Sequence, residues 1–217
     1  MVLEINTPGD ISSIINDPSI YKLCDQTEQI TLILIESDNT DIVKLYGALR
    51  NPTDDINIKC VDKCPSKHCF ELFKLITDPS DKVILKVIEK INDAHNDDRD
   101  HFRVNGHYEN KIILVYKSIK NPKEEITLKV IEMLYCEYDF DILYDLIESF
   151  NDEIRIKFAK QCQDKYILLY KSIENKNEET KLKFIESSRV GKNTIELYSL
   201  FENPSEKIKE KCVKYSG

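Results

Sequence analysis

Glycine and proline are scarce, at five and seven in 217 residues. That excludes a collagen-like or linker-rich chain and suits many helices joined by short turns. Tryptophan is absent. No apolar run approaches the length that spans a bilayer, so no membrane segment is expected. Glu4 interrupts the start of the chain and no long apolar stretch follows, so no secretory leader is read. Catalytic signatures are missing too. Gly191-Lys192 lacks the upstream glycine of a phosphate-binding loop, and no G-x-S-x-G, H-E-x-x-H or Rossmann glycine run occurs. The expectation is a protein that is not an enzyme and takes no cofactor.

Arginine is confined to Arg50, Arg99, Arg103, Arg155 and Arg189, so nearly all basic residues are lysine. The formal charge is −8, a bulk field that opposes nucleic-acid binding. Ile, Lys and Asn, which use AT-rich codons, are abundant and point to an AT-rich genome. Seven cysteines, an odd number, and no leader predict free thiols in a reducing, intracellular compartment, cytoplasmic by default. At 41% hydrophobic and 32% charged, the chain can bury a substantial core.

Against this background one pattern recurs. LYGALRNPTDDINIKCVDKC, LFKLITDPSDKVILKVIEKI, VYKSIKNPKEEITLKVIEML, LYDLIESFNDEIRIKFAKQC, LYKSIENKNEETKLKFIESS and LYSLFENPSEKIKEKCVKYS align without a gap. Each opens on an apolar residue and an aromatic: Tyr46, Phe73, Tyr116, Tyr144, Tyr170 and Tyr198. Each carries a lysine 13 positions later: Lys59, Lys86, Lys129, Lys157, Lys183 and Lys211. Five positions before it stands an acid: Asp54, Asp81, Glu124, Asp152, Glu178 and Glu206. A worn seventh copy, IYKLCDQTEQITLILIES, precedes them, with Ile33 in the place of the lysine. The copies start 27, 43, 28, 26 and 28 residues apart, so an insertion falls at about Asp93–Tyr108.

Every unit reads as two helices. Apolar residues at helical spacing, such as Ile112, Val115, Tyr116 and Ile119, mark a short first helix. Asn51-Pro52, Asp78-Pro79, Asn121-Pro122 and Asn203-Pro204 end it, and the proline can open the next helix. The second helix puts Ile126, Val130, Ile131 and Leu134 on one face, with Lys129 and Glu132 on the other. Neither helix can hide its stripe alone, whereas stacked neighbours can. The expected fold is all-α: an α-solenoid, a superhelical stack of six helix pairs with a degenerate N-terminal capping repeat. It is read as a single domain over residues 1–217. Residues 1–37 form the cap, 38–92 the first two pairs, 93–108 the insertion loop and 109–217 the last four pairs.

DPSDKVILKVIEKI (Asp78–Ile91) and FNDEIRIKFAKQC (Phe150–Cys162) show an acid, an apolar residue, then a base on the second helix. In this they resemble HEAT repeats, with a shorter unit and lysine in place of arginine. The first helix with its Asn-Pro ending is also similar to part of a tetratricopeptide repeat. The HEAT resemblance covers most of the chain. It implies an α-solenoid whose second helices line a concave surface, and in most members a binding scaffold.

Four groups of residues are candidates for function. The tyrosines sit at core spacing. An acid lies three positions after Lys59, Lys86, Lys129 and Lys183, close enough to pair on the helix or to link adjacent units. Lys157 with Lys160, and Lys211 with Lys214, are left unbalanced. Cys60, Cys64, His68 and Cys69 have zinc-type side chains, but their places in the unit are core places, so no metal is expected. The insertion holds His95, Asp97, Asp98, Arg99, His101, Phe102, Arg103 and His107. With Lys157 and Lys160 these are the expected partner-binding residues.

The function implied is a protein–protein interaction scaffold with a protein partner. One rival is a structural protein that self-associates through its ends. Another, a HEAT-like nucleic-acid-binding enzyme, needs a contiguous basic groove that the interleaved acids oppose.

Overall fold

A computed structural model describes residues 5, 8–23, 26–97, 110–174 and 176–216. All regular structure among them is helical. The described chain divides into two compact units, Met1–Ile119 and Lys120–Gly217. The division falls between two helices of one aligned segment, where the sequence shows no boundary.

The first unit holds α1 (Pro8–Asn16), a 3-10 turn at Pro18–Leu23, α2 (Glu28–Glu36), α3 (Ile42–Ala48) and α4 (Asp54–Lys63). After a 3-10 turn at Ser66–His68 come α5 (Cys69–Phe73), α6 (Asp81–Asp97) and α7 (Lys111–Ser118). Two layers result. In one, α4 packs between α2 and α6; in the other, the first 3-10 turn packs on α3, α3 on α5 and α5 on α7.

The second unit holds α8 (Glu124–Met133), α9 (Glu137–Leu146), α10 (Asp152–Gln161), α11 (Tyr166–Lys171), α12 (Glu178–Ser187), α13 (Gly191–Ser199) and α14 (Glu206–Ser216). Here α8, α10, α12 and α14 pack in succession, with α11 and α13 side by side in the other layer. The start of α13 abuts the end of α14. A Cβ on Gly191 would lie 2.6 Å from the Ser216 carbonyl oxygen, so only glycine fits that approach.

The six acids that recur in the sequence are the first residues of α4, α6, α8, α10, α12 and α14. A carboxylate there faces the positive end of the helix. The residue before it often caps the helix: Thr53, Asn151 and Asn177 each accept a hydrogen bond from a backbone N–H of the first turn through their side chains. The prolines therefore do not open these helices. Pro52, Pro79, Pro122 and Pro204 each stand two residues ahead of the first helical residue.

The preceding residue makes the turn. Asn51, Asp78, Asn121 and Asn203 have φ between 47° and 54°, the left-handed region. Proline disfavours a right-handed helical residue before it, and Asn and Asp tolerate the left-handed alternative best after glycine. Asn121→Val is expected to cost about 1–2 kcal/mol and Asn121→Gly far less, read by urea denaturation. Equal losses for the two would show that conformation at this residue is not the cause.

Burial follows the aligned register. The residue after each lysine (Cys60, Val87, Val130, Phe158, Phe184, Cys212) is buried. The next one is fully buried in five segments, at Val61, Ile88, Ile131, Ala159 and Ile185, but Val213 is 75% exposed. Among the aromatics Tyr46, Phe73, Tyr116 and Tyr170 are buried, Tyr144 is half-buried and Tyr198 is exposed. The core assignment thus holds at four positions, partly at Tyr144, and fails at Tyr198. The buried Tyr46 hydroxyl donates to Asn57 Oδ1 at 2.7 Å, and burial pushes its pKa up to about 12.

Candidate functional site

The cysteine cluster is core. Cys60, Cys64 and Cys69 are fully buried, on α4, at its end and at the start of α5, while His68 beside them is exposed. Burial raises their thiol pKa values to about 12, 11 and 12. Cys162 and Cys212 are buried as well, and Cys136 is exposed. A thiol reacts as its thiolate. Among these six, Cys136 is expected to be labelled first by a thiol reagent under native conditions. The other five should react only on unfolding, as mapped by mass spectrometry of the labelled peptides. Labelling of Cys60 at the rate of Cys136 would refute the core assignment.

The lysine positions form a ladder between helices. Lys86 on α6 meets Asp62 on α4 at 2.8 Å, Lys157 on α10 meets Glu132 on α8, and Lys211 on α14 meets Glu186 on α12. In every case the acid is the one three positions past the lysine of the preceding segment. At these three lysines the pairing runs across helices rather than along them. Lys157 and Lys211 are accordingly not the unbalanced cations that the sequence suggests.

Lys160 stands where Asp62, Glu132 and Glu186 stand elsewhere, and it is exposed. Across from it Lys183 turns to Glu179 on its own helix, at 2.8 Å. These pairs are partly or largely exposed, so each contributes roughly 0–1 kcal/mol. Glu132→Gln should lower stability by no more than that, and less in high salt, as urea midpoints at two salt concentrations would show. A loss of several kcal/mol would mean that the pair is buried.

The insertion is only partly described. Helix α6 runs through Asp97, so residues 93–97 continue a helix where the sequence suggested a loop. No glycine or proline lies between Ile91 and Asp97 to stop it. His95 and Asp97 fall on its last turns. Asp98, Arg99, His101, Phe102, Arg103 and His107 lie outside the described residues.

The structure adds a surface that sequence reasoning passed over. Helix α9 buries Phe140 and Leu143, with Ile147 buried just past its end, yet it has apolar residues on another side. Tyr135 and Tyr138 are 68% and 69% exposed, and Ile142 and Leu146 are half-buried. Tyr138, Ile142 and Leu146, four residues apart, lie along one stripe of the helix, and Tyr135 stands in the segment before it. Near it, Lys165 pairs with Asp141 of α9 at 2.9 Å and lies over the Tyr144 ring. Leu168 on α11, one helical turn beyond Asp164, is 54% exposed.

No protein family, curated protein or solved structure matches this chain.

What the stripe can do follows from its surroundings. Helix α9 carries Glu137, Asp139, Asp141 and Asp145 and no basic residue. Glu137 forms a side-chain hydrogen bond with Asp164, and that bond, with the like charge of Asp164, holds the Glu137 pKa above the usual carboxylate range. Asp139 is buried and Asp141 is paired with Lys165, so the surface joins apolar area to the exposed carboxylates of Glu137 and Asp145. A signal was present in the sequence: Tyr138, Ile142 and Leu146 are spaced as a second apolar stripe.

Proposed function

We propose that this protein is a non-enzymatic protein–protein interaction scaffold, each unit being an α-solenoid built from HEAT-like helix pairs. The six aligned segments would be its repeats and the segment ending in α2 its worn cap. The observation that carries the reading is the apolar stripe of α9, with Tyr138 exposed and Ile142 and Leu146 half-buried. Apolar surface of this kind on a regular scaffold marks a contact site. The insertion residues and Lys160 would add polar contacts at other points. A reducing intracellular compartment suits the five buried thiols. Affinity capture with the tagged chain from its native source tests the proposal. A protein partner lost on Tyr138→Ala supports it, and recovery of no protein partner overturns it.

A second reading is self-association through the ends of the helix stack. It is favoured by Val213, exposed at a position that is fully buried in five other segments. Light scattering distinguishes the two, since a concentration-independent monomer removes self-association.

A further inference from the structure

We propose that the open side of α13 and α14 is a docking site for the same side of a second copy of this chain, the two joined about a two-fold axis. This rests on the self-association reading and gives it a face and a symmetry. Three observations lead to it.

The first is an open edge in both layers at once. On α14, Lys211 reaches back to Glu186 of α12. Val213, two residues on and so roughly opposite on the helix, is 75% exposed. On α13, the Asn193 side chain donates back to the carbonyl of Gln163, ahead of α11, at 3.1 Å. Ile195, again two residues on, is 60% exposed. The two helices lie side by side, tied by the Thr194 hydroxyl donating to the Tyr215 carbonyl at 3.2 Å, so their open sides form one edge. Tyr198 stands on it, one turn past Ile195. Its counterpart Tyr170 is covered by Phe201 of the following segment, with ring centroids 5.7 Å apart. Among the described residues no helix follows α14 to cover Tyr198 in that way.

The second is the kind of cover the edge takes. Ile131, Ala159 and Ile185 share the register of Val213 and are fully buried, in the layer where α8, α10 and α12 each receive the next helix. Another helix is therefore what fits against α14.

The third is charge, which selects the helix. Glu206, Lys209 and Glu210 lie at helical spacing from Val213, with Lys214 beside it, and all four are exposed. This order matches itself when reversed. With the axis between Lys209 and Glu210, each Lys209 meets the partner's Glu210, and each Lys214 approaches the partner's Glu206. Such a contact uses one patch twice and closes at two copies. A segment stacked in the same direction would instead set its lysine against Lys214, which stands where Asp62, Glu132 and Glu186 receive one. That match gains nothing, as at Lys160, where the facing Lys183 turns to Glu179. The apolar part of the face is small, so the dimer is weak and belongs to concentrated solution, while the dilute chain keeps Val213 open.

The test is sedimentation equilibrium of the full chain over a concentration series. The apparent mass should rise from that of one chain and level at twice that value, and salt should move the rise to higher concentration. Val213→Lys/Ile195→Lys should weaken dimerisation at least about tenfold, with an unchanged circular-dichroism melt of the dilute chain. Lys209→Glu and Glu210→Lys should each weaken it at least about tenfold when alone. An equimolar mixture of these two variants should recover dimers, because every opposed charge in the mixed pair is again unlike. Leu75→Ala, at an exposed leucine in the first unit, should leave dimerisation unchanged.

The proposal is overturned if the double lysine variant dimerises like the unaltered chain, or if mixing the two charge variants restores nothing. Growth past two copies also overturns it, because a head-to-tail contact does not close. A dimer that none of these variants weakens leaves self-association standing on another surface. A monomer at every concentration removes both.

Discussion

Phe158→Ala is expected to destabilise the second unit by about 3–5 kcal/mol, the range for a fully buried aromatic. Phe158 lies on α10 and has no exposed surface. Its ring meets Phe140 of α9 edge-on, with centroids 5.5 Å apart, and Tyr144 and Phe150 at 5.7 and 6.0 Å. Truncation would remove one ring from a cluster of four and leave a cavity that its three neighbours, two of them held on α9, cannot easily fill. Edge-to-face contacts are worth a further ~1 kcal/mol beyond burial. Phe158→Leu, which keeps most of the volume, should lose much less. Urea denaturation followed by circular dichroism measures both. A loss below about 1 kcal/mol for Phe158→Ala would mean that α9 and α10 do not share a packed core.

The second large effect compares two residues at one place in the aligned segments. Ile131 on α8 and Val213 on α14 each lie two positions past the segment's lysine. Ile131 is fully buried in the layer where α10 packs on α8, and Val213 is open to solvent. Ile131→Ala should cost about 2–5 kcal/mol. Val213→Ala should change stability by no more than about 0.5 kcal/mol. Similar losses at both sites would show that α14 is covered even in dilute solution. A negligible loss at Ile131 would refute the side-by-side arrangement of second helices in this unit.

Much of the local structure was legible before any coordinates. Asp54, Asp81, Glu124, Asp152, Glu178 and Glu206 mark where six helices begin, because a carboxylate and a cap at a helix start leave a local trace. The buried cysteines could be placed from the residues that share their register, Val87, Ile91 and Ile112. Two features were less accessible. The sequence could place an acid three residues from Lys59 or Lys129, but both a neighbour on the same helix and one on the next lie within reach. Only packing decides between them, and it selects Lys86 with Asp62 and Lys157 with Glu132.

The α9 surface was hidden by the regularity that revealed the fold. The aligned position selects Tyr144 as the informative aromatic, yet Tyr144 is half-buried, and the exposed Tyr135 and Tyr138 lie before the aligned segment begins. Of the residues first chosen for function, Lys157 is absorbed into the ladder. Lys160 is the one left out of it, because its position carries the same sign as the lysine it faces.

The buried thiols have a use beyond packing. Cys60, Cys64 and Cys69 lie in the first unit, and Cys162 and Cys212 in the second. They stay silent while folded, so each becomes a clock that starts when its own helix pair opens. Native proteins open in patches whose free energies range from near zero up to that of global unfolding. Timed labelling would give the order in which this chain comes apart, without adding a probe. Simultaneous appearance of all five thiols would describe one cooperative body, and separate appearance two independent ones.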